Sequence, residues 1–224
     1  MHTAEMDNQP LNILCFGDSN TFGTNPSGGR WNYNERWPGI LQKELGQRAR
    51  IIEEGLGGRI TVKEDEVEGD KTGKRHLPVL LHSHRPLDLV IIMLGTNDMK
   101  QRFNMSVQDI AKGAEELGEI VENYPYGEYY PVPKVLLVSP IHIKPGIEHS
   151  AYAGFTEDAV EVSHHLGEYY RQVAEKHHWM FLDAATVADA SERDKLHMES
   201  IDHERLAQAI SNTIKENYPQ LTLL

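Results

Sequence analysis

The chain has 224 residues, of which 39% are hydrophobic and 25% are charged, and these values exclude a disordered or membrane-embedded protein. Its formal net charge of -12 argues against a nucleic-acid partner, because phosphates require a basic surface. The single cysteine, Cys15, excludes an internal disulfide, and no apolar run is long enough to span a membrane. We therefore expect a soluble, cytoplasmic protein with a single domain over residues 1–224.

The N-terminus is polar and lacks the basic segment followed by an apolar segment that is typical of a signal peptide. We expect residues 1–10 to form a flexible N-terminus.

Short apolar runs along the chain predict five buried strands. The run at 87–94 is continuous rather than alternating, which is typical of a strand that is covered on both faces in a parallel sheet. The predicted strands comprise residues 11–16, 50–54, 87–94, 134–140 and 179–184.

Helical patterns separate most of these strands. One follows Asn34, a candidate N-cap, and another opens with a capping-box pattern of Ser106 and Asp109. Alternation of strands and helices indicates βαβ units and a doubly wound sheet. Apolar residues recur at helical spacing in segments 37–45, 107–121, 159–173 and 206–214.

Three segments, 22–34, 59–76 and 141–157, fit neither period, and each follows the carboxyl end of a predicted strand. Ligands bind at that edge of open α/β sheets, so these segments are candidate pocket walls, although polar surface loops have the same composition. Five of their residues are candidates for the substrate pocket, and each could instead serve packing: Trp31, His142, Ile143, Tyr152 and Phe155.

The first predicted strand ends in Gly17-Asp18-Ser19, which places Ser19 at the same edge. These residue types are common in ordinary turns, so the tripeptide alone also fits a turn. A serine nucleophile requires a base, an orienting acid and donors for an oxyanion, and the other strand ends should supply them.

Candidate oxyanion donors follow the second and third strands. Gly57-Gly58 allows close approach of the backbone to a ligand, and Asn97 carries a neutral NH2 donor. A plain tight turn and an Asx turn remain the alternatives for these two sites.

Asp194 and His197, three residues apart, follow the last strand. At this spacing the carboxylate can reach Nδ1 and leave Nε2 for a serine. Asp202-His203 is a competing pair, and Asp183 and Asp189 remain open as alternative acids.

The remaining histidines include the pairs His82/His84, His164/His165 and His177/His178. A metal site requires three or four convergent ligands, and these pairs lack an evident partner motif. We expect no metal and no cofactor.

Four segments, "FGDSNTFG", "EGLGGRIT", "LGTNDM" and "RDKLHM", resemble the ordered sequence blocks of the SGNH hydrolases, also called GDSL esterases/lipases. The longer runs "ILCFGDS", "IEEGL", "LDLVIIMLGTNDMK" and "PVPKVLLVSP" are similar to the bacterial arylesterase/acyltransferase branch.

The resemblance implies a flavodoxin-like three-layer α/β/α sandwich with a five-stranded parallel sheet. It implies Ser19 as nucleophile, His197 as general base and then acid, and Asp194 as the orienting acid. The oxyanion hole would consist of the N–H groups of Ser19 and Gly58 and the side chain of Asn97.

The sequence departs from the family pattern at two points. Asn20 replaces the leucine of the family's nickname, a difference that we expect to matter little. The second block has Gly57-Gly58 where relatives often have a serine before the small residue, so Gly57 is the alternative donor.

The resemblance predicts a serine esterase that hydrolyses short-chain aryl, alkyl or acetylated sugar esters through an acyl-enzyme. Acyl transfer to alcohols is a variant, for which a homo-oligomer could form a channel from segments 59–76 and 141–157. The expected partner is thus a small-molecule ester. A non-enzymatic flavodoxin-like binding module for a nucleotide or flavin is the alternative, but the first loop has neither G-x-G-x-x-G nor a P-loop.

Overall fold

The computed structural model describes residues 9–152 and 154–221 and contains a five-stranded, fully parallel sheet. The strand order is β2-β1-β3-β4-β5, which is the flavodoxin-like order. All five predicted strands are confirmed: β1 Leu11–Gly17, β2 Ala49–Gly55, β3 Leu89–Met93, β4 Lys134–Ser139 and β5 Met180–Asp183.

Helices cover both faces of the sheet, which confirms the predicted three-layer α/β/α sandwich. Side chains of α3, α4 and α5 pack in the core on one face, and those of α2 and α6 pack on the other. The helices are α1 Ser19–Phe22, α2 Trp37–Leu45, α3 Gly73–His84, α4 Val107–Asn123, α5 Asp158–His177 and α6 Ser200–Asn217.

Interior strand β1 shows why the apolar runs of the sequence are continuous. Leu14 and Phe16 face the α3–α5 layer, whereas Ile13 and Cys15 face the α2–α6 layer, and all four are fully buried. Alternate side chains of a parallel strand therefore enter two different cores, and both must be apolar.

Of the two predicted helix starts, one is confirmed and one is wrong. Helix α4 has the predicted capping box of Ser106 and Asp109. Helix α2 begins at Trp37 after Arg36, without a side-chain cap, so Asn34 is not its N-cap. A proline within the first two positions supplies a backbone angle suited to a helix start instead.

Helix α3 was absent from the predicted helices, and its first residues fall within the segment 59–76 that fits neither period. The helix contains Pro78 and buries only Gly73, Leu77 and Leu81, so its apolar pattern is weak. Leu77 and Leu81 pack into the same core as α4, and this contact supports the helix despite the sequence.

The carboxyl ends of the strands lead into the predicted site segments.

No helix in residues 9–152 and 154–221 is long and apolar enough to cross a membrane. Residues 1–8 of the predicted flexible N-terminus lie outside the described residues, whereas Gln9 and Pro10 are exposed.

Candidate active site

Ser19 lies at the first position of α1, directly after β1. The Asp18 carboxylate caps this short helix by accepting the Asn20 N–H at 2.9 Å. A Cβ on Gly17 would collide with Thr21 and would lie 2.9 Å from the Met93 carbonyl oxygen. Glycine therefore permits the tight turn that places Ser19 at the sheet edge.

His197 connects Ser19 with Asp194. His197 Nε2 lies 2.8 Å from Ser19 Oγ, and His197 Nδ1 lies 2.7 Å from Asp194 Oδ2. The other carboxylate oxygen of Asp194 accepts the backbone N–H groups of Leu196 and His197 at 3.0 and 2.9 Å. Asp194 thus orients both the imidazole and the loop that carries it.

The environment of Asp194 favours its charged form. Burial acts to raise the pKa, but the hydrogen bonds from His197 and from the Leu196 N–H outweigh it and lower the pKa below the usual 3.8. A carboxylate at this place keeps the proton on His197 Nδ1, which leaves Nε2 free to accept the serine proton.

The competing acids lie elsewhere. His203 Nδ1 accepts the Trp37 N–H at 3.3 Å, and Asp202 Oδ1 accepts the Asp189 N–H at 3.2 Å. Asp183 caps the turn that follows β5. The structure therefore brings Asp194, and none of these three aspartates, to the imidazole beside the serine.

Three potential donors face the same cavity as the serine hydroxyl. Asn97 Nδ2 donates one hydrogen to the Arg59 carbonyl at 3.2 Å, which fixes the amide and leaves its second hydrogen available. Gly58 has φ +82°, a left-handed conformation, whereas Gly57 does not. Within the described part of the chain, the N–H groups of Ser19 and Gly58 donate to no protein acceptor.

Asp98 ties the loop after β2 to the turn after β3. Its carboxylate accepts both the N–H and the hydroxyl hydrogen of Thr61, three residues beyond Gly58. Burial raises the pKa of Asp98 to about 6. Asp98 therefore serves the structure of the site by holding the backbone and side chain of Thr61.

A cavity of about 360 Å³ opens above Ser19 and His197. Gly57, Gly58 and Asn97 line one part of it. The rest of its wall includes Thr24, Glu68, Lys100, Tyr152, Phe155 and Leu196.

Two of the five candidate pocket residues, Tyr152 and Phe155, lie in this wall. The Tyr152 ring meets the His197 ring edge-on, with 4.8 Å between the ring centroids. Burial, together with the charge of Asp194, raises the pKa of Tyr152, so its hydroxyl stays protonated.

The structure does not bring Trp31, His142 and Ile143 to the cavity wall. Trp31 Nε1 donates to the Met198 carbonyl at 3.1 Å, next to His197 in sequence. The His142 ring lies 4.0 Å from that of His164, and Ile143 is buried in the core. Core packing explains Ile143, because loop residues that return to the sheet also bury apolar area.

Asn20 has more contacts than the sequence-based interpretation allowed. Its Nδ2 donates to the Leu196 carbonyl at 3.2 Å, and its Oδ1 accepts the Met198 N–H at 3.1 Å. Asn20 is buried and so holds the backbone on both sides of His197. Because Asn20 and Leu196 are 176 positions apart, no local pattern indicates this contact.

Glu68 and Lys100 are two charged residues of the cavity wall that sequence reasoning missed. Both belong to charged segments that are typical of solvent-exposed loops. The sequence shows only that Glu68 and Lys100 have opposite charges. It does not show that they form a salt bridge, because they belong to loops 32 positions apart.

The described residues contain one group of side chains with the spacing of metal ligands, formed by Glu115, Glu119 and His177. It lies on α4 and α5, which carry none of the candidate site residues. His177 Nε2 and Lys176 Nζ both contact Glu115 Oε1, at 2.7 and 2.6 Å. Ion pairing accounts for this group.

Comparisons with known proteins identify the family. The model of the GDSL-like lipase/acylhydrolase family matches residues 15–204. The structure is similar to Est24, a carbohydrate acetylesterase from Sinorhizobium meliloti, with 35% identity, a TM-score of 0.86, and coverage of 92% of this chain and 99% of that one. It is also similar to the aryl esterase of M. smegmatis, with 34% identity, a TM-score of 0.85 and the same coverage. No curated protein sequence matches this chain.

The family match covers the segments that contain Ser19, Gly58, Asn97, Asp194 and His197. It disfavours the alternative of a non-enzymatic binding module, since the family and both structural relatives are named for ester hydrolysis. The chain belongs to the GDSL-like lipase/acylhydrolase family and is a carboxylic ester hydrolase.

Proposed function

We propose that this protein is a serine esterase that cleaves short-chain carboxylic esters with a Ser19–His197–Asp194 triad. The observation that carries the proposal is the continuous pair of contacts, 2.8 Å from Ser19 Oγ to His197 Nε2 and 2.7 Å from His197 Nδ1 to Asp194 Oδ2. This is the arrangement that a serine needs in order to lose its proton during attack.

In the first half-reaction, Ser19 Oγ attacks the ester carbonyl carbon while His197 Nε2 takes its proton. The carbonyl oxygen becomes negatively charged and is stabilised by the N–H groups of Ser19 and Gly58 and by the Asn97 amide. Loss of one such donor typically slows an enzyme by a factor of about 10² to 10³.

The tetrahedral intermediate then collapses. His197 Nε2 gives its proton to the leaving alcohol oxygen, and Ser19 retains the acyl group. In the second half-reaction His197 activates water, which releases the acid and restores the serine. Asp194 stabilises the imidazolium in both halves without taking the proton itself.

The names of the two relatives support aryl esters and acetylated carbohydrates as substrate classes. Tyr152 and Phe155 supply aromatic surface to the cavity wall, which suits an aryl group or the apolar face of a sugar. We therefore propose small acyl groups on aryl, alkyl or sugar alcohols as substrates.

The same acyl-enzyme would transfer its acyl group to an alcohol that replaces water. Tyr152 and Leu196, on the His197 side of the cavity, give an acceptor alcohol apolar contact that water does not use. The ratio of ester to acid formed in water with added propanol measures this transfer.

A homo-oligomer and a cytoplasmic location stay predictions, which size-exclusion chromatography and cell fractionation would test.

The test of the proposed function is Ser19→Ala. We expect it to lower kcat for p-nitrophenyl acetate by about 10⁴-fold or more, because the nucleophile is lost, while circular dichroism stays native. Ser27→Ala is the matched control, since Ser27 lies exposed in a neighbouring loop. Hydrolysis by Ser19→Ala at the rate of the Ser27→Ala control would contradict the triad.

A further inference from the structure

Two opposite charges lie in the wall of the cavity. Lys100 Nζ lies 2.5 Å from Glu68 Oε1, and the Lys100 side chain is only 6% exposed. A charge this far from water is stable only with a close partner, so the two residues act as one unit.

The pair belongs to a larger ion network that holds it in place. Arg102 Nη2 contacts the same Glu68 oxygen at 2.7 Å and Asp65 Oδ2 at 2.5 Å. Partial burial opposes ionisation of Glu68, but the hydrogen bonds from Lys100 and Arg102 prevail and lower its pKa. The cavity wall therefore carries the Glu68 carboxylate at neutral pH, in contact with Lys100.

Glu68 lies directly against the proposed oxyanion hole. A Cβ built on Gly58 would be 2.5 Å from Glu68 Oε2. Lys100 follows Asn97 by three residues, and its Nζ lies 5.9 Å from the centroid of the Phe155 ring. The charged pair thus borders the side of the cavity that Gly58 and Asn97 form.

The proposed mechanism assigns the two parts of an ester to different sides. His197 must face the leaving oxygen, so the alcohol part lies along Tyr152 and Leu196, beside the imidazole. The carbonyl oxygen occupies the oxyanion hole, so we place the acyl chain in the part of the cavity that remains, past Gly58 and Asn97, where Glu68 and Lys100 line the wall.

We propose that the Glu68–Lys100 pair determines acyl-chain length, by admitting an acetyl group and opposing longer apolar chains. The inference rests on the proposed function and names the substrate part that this wall selects. A longer chain would displace water from Glu68 without offering a hydrogen bond, and burial of an unsolvated charge is unfavourable. The proposal requires that an acetyl methyl group end before it makes this contact.

The experiment compares p-nitrophenyl acetate, butyrate and hexanoate with the native protein and the double variant Glu68→Gln/Lys100→Met. The double variant removes both charges together, so no unpaired buried charge remains. Each methylene that gains apolar contact is worth about a fourfold change. We expect the ratio of kcat/KM for hexanoate to that for acetate to rise at least about tenfold. An unchanged ratio would overturn the proposal.

Glu68→Gln alone provides a second variant that keeps most of the packing. It should raise the same ratio in the same direction by a smaller factor, and a fall in the ratio would contradict the proposal.

Asp65→Asn is the matched control for general loosening of the network. Its side chain is fully buried and contacts Arg102 but does not line the cavity. We expect it to lower the melting temperature and to leave the hexanoate-to-acetate ratio unchanged. A rise in the ratio equal to that of the double variant would mean that loop loosening, rather than charge, determines chain length.

A second substrate series keeps the acetyl group and varies the alcohol from ethyl to hexyl acetate. If the double variant shifts this series and not the acyl series, the pair faces the alcohol and the proposal is wrong. Ser19→Ala distinguishes failure of the proposed function from failure of this inference. Activity in Ser19→Ala contradicts the triad itself, whereas an unaltered chain-length profile in the double variant contradicts only the role of Glu68 and Lys100.

Discussion

Asn20 holds the loop of the proposed catalytic histidine from the opposite end of the chain. Its amide accepts the Met198 N–H and donates to the Leu196 carbonyl, the two neighbours of His197. Asn20 immediately follows Ser19, so one dipeptide carries the proposed nucleophile and the contact that positions its base. A leucine at this place would offer neither hydrogen bond.

We predict that Asn20→Ala lowers kcat for p-nitrophenyl acetate by up to about a hundredfold, with KM changed by less than about threefold. The reason is that displacement of a catalytic group by about 1 Å can have an effect of this size, whereas substrate binding does not use Asn20. Steady-state kinetics of the folded variant measure the split between kcat and KM.

Asn212→Ala is the control, because Asn212 makes only an exposed contact on α6. A purely structural role of Asn20 would reduce the melting temperature and the amount of folded enzyme but leave kcat per folded molecule near the native value.

At the scale of elements, the turn after β2 depends on a left-handed residue. Gly58 has φ +82°, and a Cβ at this position would meet the Glu68 carboxylate. Gly57 has ordinary φ, and a Cβ built on it has no neighbour within 4 Å. The two adjacent glycines are therefore not equivalent, which favours Gly58 as the residue whose geometry the turn requires.

We predict that Gly58→Ala lowers the free energy of unfolding by about 1–2 kcal/mol or more, since left-handed backbone is unfavourable for alanine. Gly57→Ala should change it by only a few tenths of a kcal/mol, because Gly57 is partly exposed and a Cβ there meets no neighbour within 4 Å. Urea denaturation followed by circular dichroism gives both values, and equal destabilisation of the two variants would contradict this view of the turn.

Two helices show which features of a helix can be predicted from local sequence pattern and which cannot. The capping box of α4 was predicted from Ser106 and Asp109, because both its hydrogen bonds lie within four residues. Helix α3 was missed, since Pro78 and a weak apolar pattern hide it and its stability comes from contact with the core.

At the scale of the whole molecule, His203 makes stability depend on pH. Burial, with smaller effects from the charges of His197 and Arg36, lowers its pKa from the usual 6.5 to about 3. In the unfolded chain the His203 imidazole binds a proton below about pH 6.5, whereas in the folded protein it binds one only below about pH 3. The contribution of the neutral His203 to the free energy of unfolding is therefore fully present above about pH 6.5 and is lost as the pH falls from 6.5 toward 3.

We predict that the free energy of unfolding falls when the pH is lowered from about 7.5 to about 5, and that it falls further in the native protein than in His203→Gln. The difference between the two falls should be about 2 kcal/mol. Asp98 acts in the opposite sense, because its raised pKa of about 6 favours the folded state on acidification, but it is common to both proteins. Urea unfolding at the two pH values measures the difference.

His149→Gln is the control, since the His149 side chain is 83% exposed. If His203→Gln and His149→Gln show the same pH dependence as the native protein, the buried imidazole does not contribute.

The sequence by itself determined the alternation of strands and helices, the parallel sheet and the family resemblance. These properties follow from local periodicity and from short motifs at strand ends, where each signal lies within about ten residues. For the same reason it singled out Ser19, Asn97, Asp194 and His197 as candidates, since parallel strand ends meet at one edge.

Only the tertiary structure decided which side chains line the cavity and which hold the loop of His197 in place. Glu68, Lys100 and Asn20 gain their positions from contacts between segments 32 to 178 positions apart, and Trp31, His142 and Ile143 lose the predicted position for the same reason. Loop conformations depend on ion pairs and packing between distant segments, and no local pattern encodes these. The sheet edge is therefore a property of sequence, whereas the shape and charge of the cavity above it are properties of the folded chain.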